Sequence, residues 1–228
     1  MVTTKSARRG ARFSALGSTR DALLDAAEFC FEEVGFSATT MEDIARQAGV
    51  SRATVYRHFA NRESVVSGVV LRTAGRYLDG IGGPLAGQPD LASAVLVFVE
   101  TTVHAASREK SISALFVSDD RLAGIGLTES TSVALFELVT EFLRPVFTRH
   151  RDDLQPGISV DDAAEWILRT ILSLLTVRGP RRRSPEGLRA YLCRCLLPAI
   201  VVPGSTELDR HRGHDERADR NPGDTNLQ

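Results

Sequence analysis

The run TMEDIARQAGVSRATVYRHF, residues 40–59, constrains this chain more than any other stretch, because it holds two short amphipathic segments with a glycine between them. Thr40 followed by Asp43 is a capping-box-like helix start, in which the hydroxyl accepts from an orphan backbone amide and the acid suits the positive end of the helix dipole. Ile44 and Ala48 give the first segment a buried side, and Gly49 suits the left-handed residue that follows a helix end. Val50 plugs the angle between the segments, Ser51 caps the second, and Val55 and Phe59, at i and i+4, hold that second helix to its neighbours. Arg52, Thr54, Tyr56 and His58 are then left facing outward, a surface suited to a polyanion. The pattern predicts a helix-turn-helix hairpin whose second helix enters the major groove of double-stranded DNA while the first crosses the backbone.

These residues, AGVSRATVYRHFANRESV together with the upstream helix LLDAAEFCFEEVGF, resemble the amino-terminal domain of TetR-type (TetR/AcrR) transcriptional repressors. The matching positions are Thr40, Ile44-Ala45, Ala48-Gly49-Val50-Ser51, Thr54, Tyr56, His58-Phe59 and Asn61-Arg62-Glu63. Two positions depart from the family pattern: Ala53 stands where glycine is frequent, and Arg62 where lysine is common. Neither change removes a charge or breaks a helix. The resemblance covers residues 18–78 and implies a DNA-binding set of Thr40, Ser51, Arg52, Ala53, Thr54, Tyr56, Arg57, His58 and Arg62. Within it, Thr40, Tyr56, His58 and Arg62 are expected on phosphates and Arg52, Ala53 and Thr54 at base edges, with Arg52 the main source of specificity. His58 also fits a surface histidine bonded within its own domain.

A net charge of −1 over 228 residues runs against a nucleic-acid partner until the distribution is considered. Lys5, Arg8, Arg9, Arg12 and Arg20 occupy the first twenty residues without one acid, whereas the tail after Val202 is richer in acids than in arginines. The leader, residues 1–17, is expected to be disordered and fits two descriptions, a solvated segment or an arm touching phosphate or the minor groove. The tail, 203–228, is likewise expected to be disordered. The start lacks the apolar core of a signal peptide and no later run approaches the ~20 apolar residues of a spanning helix, so the expected compartment is the cytoplasm, with no membrane partner. Cys30, Cys193 and Cys195 suggest neither a disulfide framework nor a zinc site and are expected as buried thiols.

Helical periodicity continues through the rest of the chain. Leu23, Ala27, Phe31 and Val34 mark a first helix ending at Gly35, and a fourth helix runs from about Arg62 to Leu78. The Gly- and Pro-rich segment GIGGPLAGQPD, residues 80–90, reads as a boundary, which divides the chain into a DNA-binding domain over 18–78 and a second domain over 79–202. Further helices are expected near 91–107, 111–123, 129–150, 160–177 and 185–199, the third kinked at Pro145. The predicted fold class is all-α: a three-helix helix-turn-helix domain followed by a helical bundle for ligand binding and dimerisation, about nine helices in total.

In the second domain, Trp166, Ile167, Leu168, Ile171, Leu172, Leu174 and Leu175 make one helix apolar nearly all round, and such a helix needs cover on both sides. Leu188, Tyr191, Leu192, Cys195, Leu196 and Ala199 form a second stripe. Both helices either complete the monomer core or, as the resemblance implies, pair with their copies in a homodimer through Leu168, Ile171, Leu175, Leu188, Leu192 and Cys195. The resemblance also implies an effector, a small molecule of unknown identity, in the bundle. Phe98, His104, Phe116, Phe136, Phe142 and Trp166 are the candidate pocket residues, each also readable as plain core, with His104 as a satisfied core histidine. Arg181, Arg182 and Arg183 read as a solvated connector or an anion patch. No Gly-x-Ser-x-Gly elbow, His-Glu-x-x-His pair, phosphate loop or paired Cys motif occurs, so no catalytic residue, metal or cofactor is expected. An interaction protein that keeps the hairpin only as structure is the rival reading, and the outward polar set on the second helix argues against it.

Overall fold

A computed structural model describes residues 18–36, 38–108, 129–177 and 183–203. Among these the fold is all-α: α1 Thr19–Val34, α2 Met41–Ala48, α3 Arg52–His58, α4 Arg62–Ala86, α5 Leu91–Arg108, α6 Glu129–Arg149, α7 Val160–Thr176 and α8 Pro185–Cys195, with 3-10 turns at Arg151–Asp153 and Leu197–Ala199. One isolated antiparallel bridge joins Leu154 to Val201. The expected leader, tail, helix over 111–123, Phe116, Arg181 and Arg182 lie outside the described residues. No described helix is long and apolar enough to cross a membrane. The chain divides into two compact units, one containing 18–76 and 129–135, the other 77–108 and 136–203.

In the first unit every helix start has a local explanation. Ser18 and Asp21 close a capping box on α1, Thr40 and Asp43 close one on α2, Ser51 accepts from the Thr54 amide, and Asn61 Oδ1 accepts from the Ser64 amide at 2.8 Å. The Ser18 hydrogen bonds hold the Asp21 carboxyl below its ordinary range. α1 buries Leu23, Leu24, Ala27, Cys30 and Phe31, and burial raises the Cys30 thiol. Val34 is exposed, contrary to the stripe expected from periodicity, because the helix ends there on Gly35 and its last turn extends past the packed face. α2 buries Met41, Ile44 and Ala45, so Ala45 takes the place expected for the half-buried Ala48. α1 and α4 are also joined by ions: Arg72 meets Asp25 at 2.9 Å and Glu28 at 3.0 Å, and Arg76 meets Glu28 at 2.6 Å. The Ser67 and Thr131 hydroxyls bond α4 to the start of α6.

Two expectations about element ends are corrected in the second unit. Residues 80–90 are not a continuous break: α4 runs on through Gly80, Gly82, Gly83 and Pro84 to Ala86. Its distal half is held by tertiary contact rather than propensity, with Leu78 and Leu85 buried, the Arg149 guanidinium on the Ala86 carbonyl, and Gln88 Nε2 donating to the Pro84 carbonyl at 2.9 Å. α8 ends at Cys195, because Pro198 cannot continue an α-helical ladder, and residues 197–199 tighten to a 3-10 turn. α6 continues unbroken through Pro145. α5 is capped twice, by Asp90 on the Ser93 amide at 2.7 Å and by Asp153 on the Leu91 amide at 3.1 Å, and it packs against α7 and α8. The segment 153–155 ties down the chain end through Gln155 N to Ile200 O at 2.8 Å and Val202 N to Asp153 O at 2.9 Å.

Two glycines of α4 give opposite expectations. A Cβ on Gly68 would sit 2.9 Å from Leu24 Cδ2 and 3.2 Å from Phe59 Cε1, both on buried side chains, whereas one on Gly75 meets nothing within 4 Å. Gly68→Ala should therefore cost about 1–3 kcal/mol by overpacking, and Gly75→Ala should gain about 0.5–1 kcal/mol from helix propensity. Urea denaturation of the two variants beside the parent checks both signs.

Candidate nucleic-acid interface

The hairpin is built by its turn. Gly49 is left-handed at φ 68°, its amide bonds the Arg46 carbonyl, and the Val50 amide bonds the Ala45 carbonyl at 3.0 Å, the paired arrangement that closes a helix and redirects the chain. Ser51 then caps α3 at once. Along the seven residues of α3 only Val55 is buried, at 0% exposure, and Phe59 follows at 2%. The Arg20 guanidinium lies 5.0 Å from the Phe59 ring centroid, so one cation of the amino-terminal run is fixed against this helix end.

With Val55 and Phe59 as its inner edge, α3 turns Ser51, Arg52, Ala53, Tyr56 and Arg57 outward; Thr54 and His58 are half-buried at the margins. Arg57 and His58 sit in the last turn, where cations complement the helix dipole, and no acid occupies the first turn. The hairpin therefore offers aromatic, hydroxyl and cationic groups on one short helix, with α2 beside it.

Several of these groups already have partners. The Thr54 hydroxyl meets the Ser51 hydroxyl at 2.9 Å, and Thr40 Oγ1 donates to Asp43 Oδ2 at 2.6 Å, so each serves a helix start. Arg52 forms an ion pair with Glu42 of α2, and both side chains are more than half exposed. Glu42 was not among the residues singled out from sequence. Ten positions separate the pair, and only the fold of the turn brings them together. Arg46 pairs with Asp43, a contact legible in the i, i+3 spacing. Arg62 does not join the outward set. It is half-buried, and its Nε donates to the Thr39 carbonyl at 3.0 Å and its Nη2 to the Phe36 carbonyl.

The residues expected in the second unit fall into three groups. Phe98 is buried and its ring lies 5.9 Å from that of Phe142, itself half-buried, while Phe136 sits under the Arg169 guanidinium at 5.5 Å. His104 is exposed on α5, which corrects its reading as a core histidine: the buried positions of that helix are Phe98, Val99, Thr102 and Ala106, and residue 104 falls off their face. Trp166 is 47% exposed. Among the residues expected between two chains, Leu168, Ile171 and Leu192 are buried within the monomer, Leu175 and Leu188 are half-buried, and Cys195 is exposed. Cys193 is half-buried, so of three thiols expected inside only Cys30 is buried. Arg183 is stacked 4.0 Å from the Tyr191 ring centroid rather than free in a connector. Among the described residues no cluster of three or more His, Cys, Asp or Glu is placed to hold a metal ion.

The model of the tetR family of bacterial regulatory proteins matches residues 23–69, from within α1 to within α4. An uncharacterised HTH-type transcriptional regulator of Mycobacterium tuberculosis is 31% identical over 194 residues, 85% of this chain and 90% of that protein. The TetR family repressor AlkX from a Dietzia strain, implicated in biodegradation of n-alkanes, matches with a TM-score of 0.58 at 22% identity, over 79% of this chain and 94% of its own, a likeness of fold. SmeT, the repressor of the Stenotrophomonas maltophilia multidrug efflux pump SmeDEF, matches in its triclosan complex with a TM-score of 0.53 at 26% identity, over 83% of this chain and 95% of its own.

The Arg52–Glu42 pair sets an expectation for any duplex presented to this face. Glu42→Gln removes an acid from beside a polyanion and frees the guanidinium, so affinity should rise roughly two- to fivefold, the scale of an exposed pair. The gain should fade in high salt. Fluorescence anisotropy across a salt series measures it, and weaker binding by the variant would mean that Glu42 instead holds Arg52 in its working orientation.

Proposed function

The chain belongs to the tetR family of bacterial regulatory proteins, and from that premise we propose that it is a ligand-responsive, DNA-binding repressor that occupies a near-palindromic operator as a homodimer and is released by a small molecule. The observation that carries the reading is the outward set on α3, Ser51, Arg52, Ala53, Tyr56 and Arg57, held in place by the inward pair Val55 and Phe59. A hairpin kept only as a structural element has no use for five exposed residues of that kind on one helix. Arg52 and Ala53 stand at the start of α3, where a recognition helix meets base edges, and Tyr56, Arg57 and the amino terminus of α2 suit phosphates.

One such helix reads only a few base pairs, and selectivity over a genome of competing sites requires two half-sites read together. A two-fold dimer would set its two copies of α3 about 34 Å apart, one turn of duplex. Support for pairing comes from α7 and α8, which leave Trp166, Val177 and Cys195 exposed and Leu175 and Leu188 half-covered in one chain. Effector release finds support in SmeT, whose complex holds triclosan, and in the aromatic side chains Phe98, Phe136 and Phe142 of the second unit. A ligand that prefers the released shape by a few kcal/mol would suffice.

Two measurements test the reading. Arg52→Ala should weaken binding to the operator, sought in the DNA upstream of the chain's own gene, by roughly 1–3 kcal/mol, with a much smaller loss on random duplex; an equal loss on both would remove its base-reading role. Trp166→Glu should convert a dimer to a monomer in sedimentation velocity and abolish tight operator binding while leaving the helical circular dichroism intact.

A further inference from the structure

The loop between α1 and α2 is held from outside itself. Thr39 is 1% exposed, and its amide and hydroxyl both donate to the Gly35 carbonyl, at 3.3 and 2.9 Å. The carbonyls of Phe36 and Thr39 are engaged from across the unit by Arg62, the first residue of α4, twenty-six and twenty-three positions away. Buried backbone carbonyls need donors, and a guanidinium offers several in a rigid planar fork, so one side chain bonds both at once. The stacked rings of Phe31 and Phe36, 4.5 Å apart, fix the other side of the same loop to α1. Thr40, the next residue, caps α2, and α2 packs on α3.

We infer that Arg62 is a positioning residue for DNA binding, a clamp that sets the start of α2 against the start of α4, rather than a phosphate ligand. The inference rests on the reading of the chain as a DNA-binding regulator. Two of the guanidinium's nitrogens are committed to the protein's own backbone, and the side chain is half-buried while Arg52 and Arg57 stand exposed. Loss of the clamp frees two carbonyls and lets the α1–α2 loop drift, and the outward face of α3 turns with α2. Lysine at this position keeps the charge and has a single ammonium on a flexible stem, which bonds one carbonyl at a time. Charge and clamp are therefore separable by mutation.

The test uses the full chain with Arg62→Lys, Arg62→Gln and, as a comparison, Arg57→Gln. Two readouts are taken: operator affinity by anisotropy across a salt series, and amide hydrogen exchange of residues 36–44 without DNA. Arg62→Lys and Arg62→Gln should lose similar affinity, about tenfold for the loss of charged hydrogen bonds, with an unchanged slope of log K against log salt. Both should exchange faster over 36–44. Arg57→Gln should lower the slope by about 0.9 for one lost phosphate contact, with exchange unchanged. Wild-type affinity in Arg62→Lys together with a slope lowered by about 0.9 in Arg62→Gln would make Arg62 a phosphate ligand and overturn the inference. Unchanged exchange in both Arg62 variants would overturn it too, as would faster exchange with full affinity. Should Arg62→Gln fail to fold, Arg62→Lys carries both readouts. A parent chain that binds no duplex refutes the regulator reading, and exchange alone then judges the clamp.

Discussion

The hairpin depends on one constraint: α2 and α3 are too short to exist alone. Isolated helices below about 12–15 residues are marginal in water, because nucleation fixes several dihedrals for each hydrogen bond formed. Eight and seven residues fall well short of that. Their geometry is therefore imposed by the few side chains they bury, Ile44, Val55 and Phe59, and by the α1–α4 frame that receives them. The same constraint frees the outer face. Since Val55 and Phe59 supply the attachment of α3, its remaining positions carry no packing duty and can take residues chosen for a partner.

The frame is itself fixed by charge as well as by apolar contact. Arg72, with 19% of its side chain exposed, meets both Asp25 and Glu28, and Glu28 also receives Arg76 and the Thr73 hydroxyl. Removing one member of a half-buried network leaves the others desolvated without a partner, so such groups define a single relative placement of two helices even where their net contribution to stability is small. Arg62 acts similarly at the other end of the same stretch of α4, on backbone carbonyls instead of carboxylates.

Local chemistry was the legible part of the sequence. Thr40, Ser51 and Gly49 announce the ends of α2 and α3 because caps are determined within four residues, and the inward role of Val55 and Phe59 follows from their spacing. What depends on distant partners was not legible. The Gly80–Pro84 stretch looks like a break because propensity counts only the helix itself, while Leu78, Leu85 and Arg149 keep it helical from outside. Arg62 and Arg52 look alike as cations near a DNA-binding motif. Only the folded loop shows one bonded to two carbonyls and the other paired with Glu42. His104 and Trp166 fail similarly, since flanking apolar residues say that a helix is buried somewhere but not which of its faces.

α4 joins two unlike materials in one continuous helix. Its first half is valine-rich and buried, with Val65, Val66, Val69 and Val70 in succession; its last two turns hold three glycines and a proline, residues costing about 1 and about 3 kcal/mol each relative to alanine. The second half consequently melts before the first. A push delivered there is absorbed by unwinding, as a slack rope absorbs it, unless the turns around Gly80–Pro84 are first made taut. Whatever stiffens that end lengthens the rigid part of the helix, and stiffness, more than displacement, becomes the quantity that can travel along it.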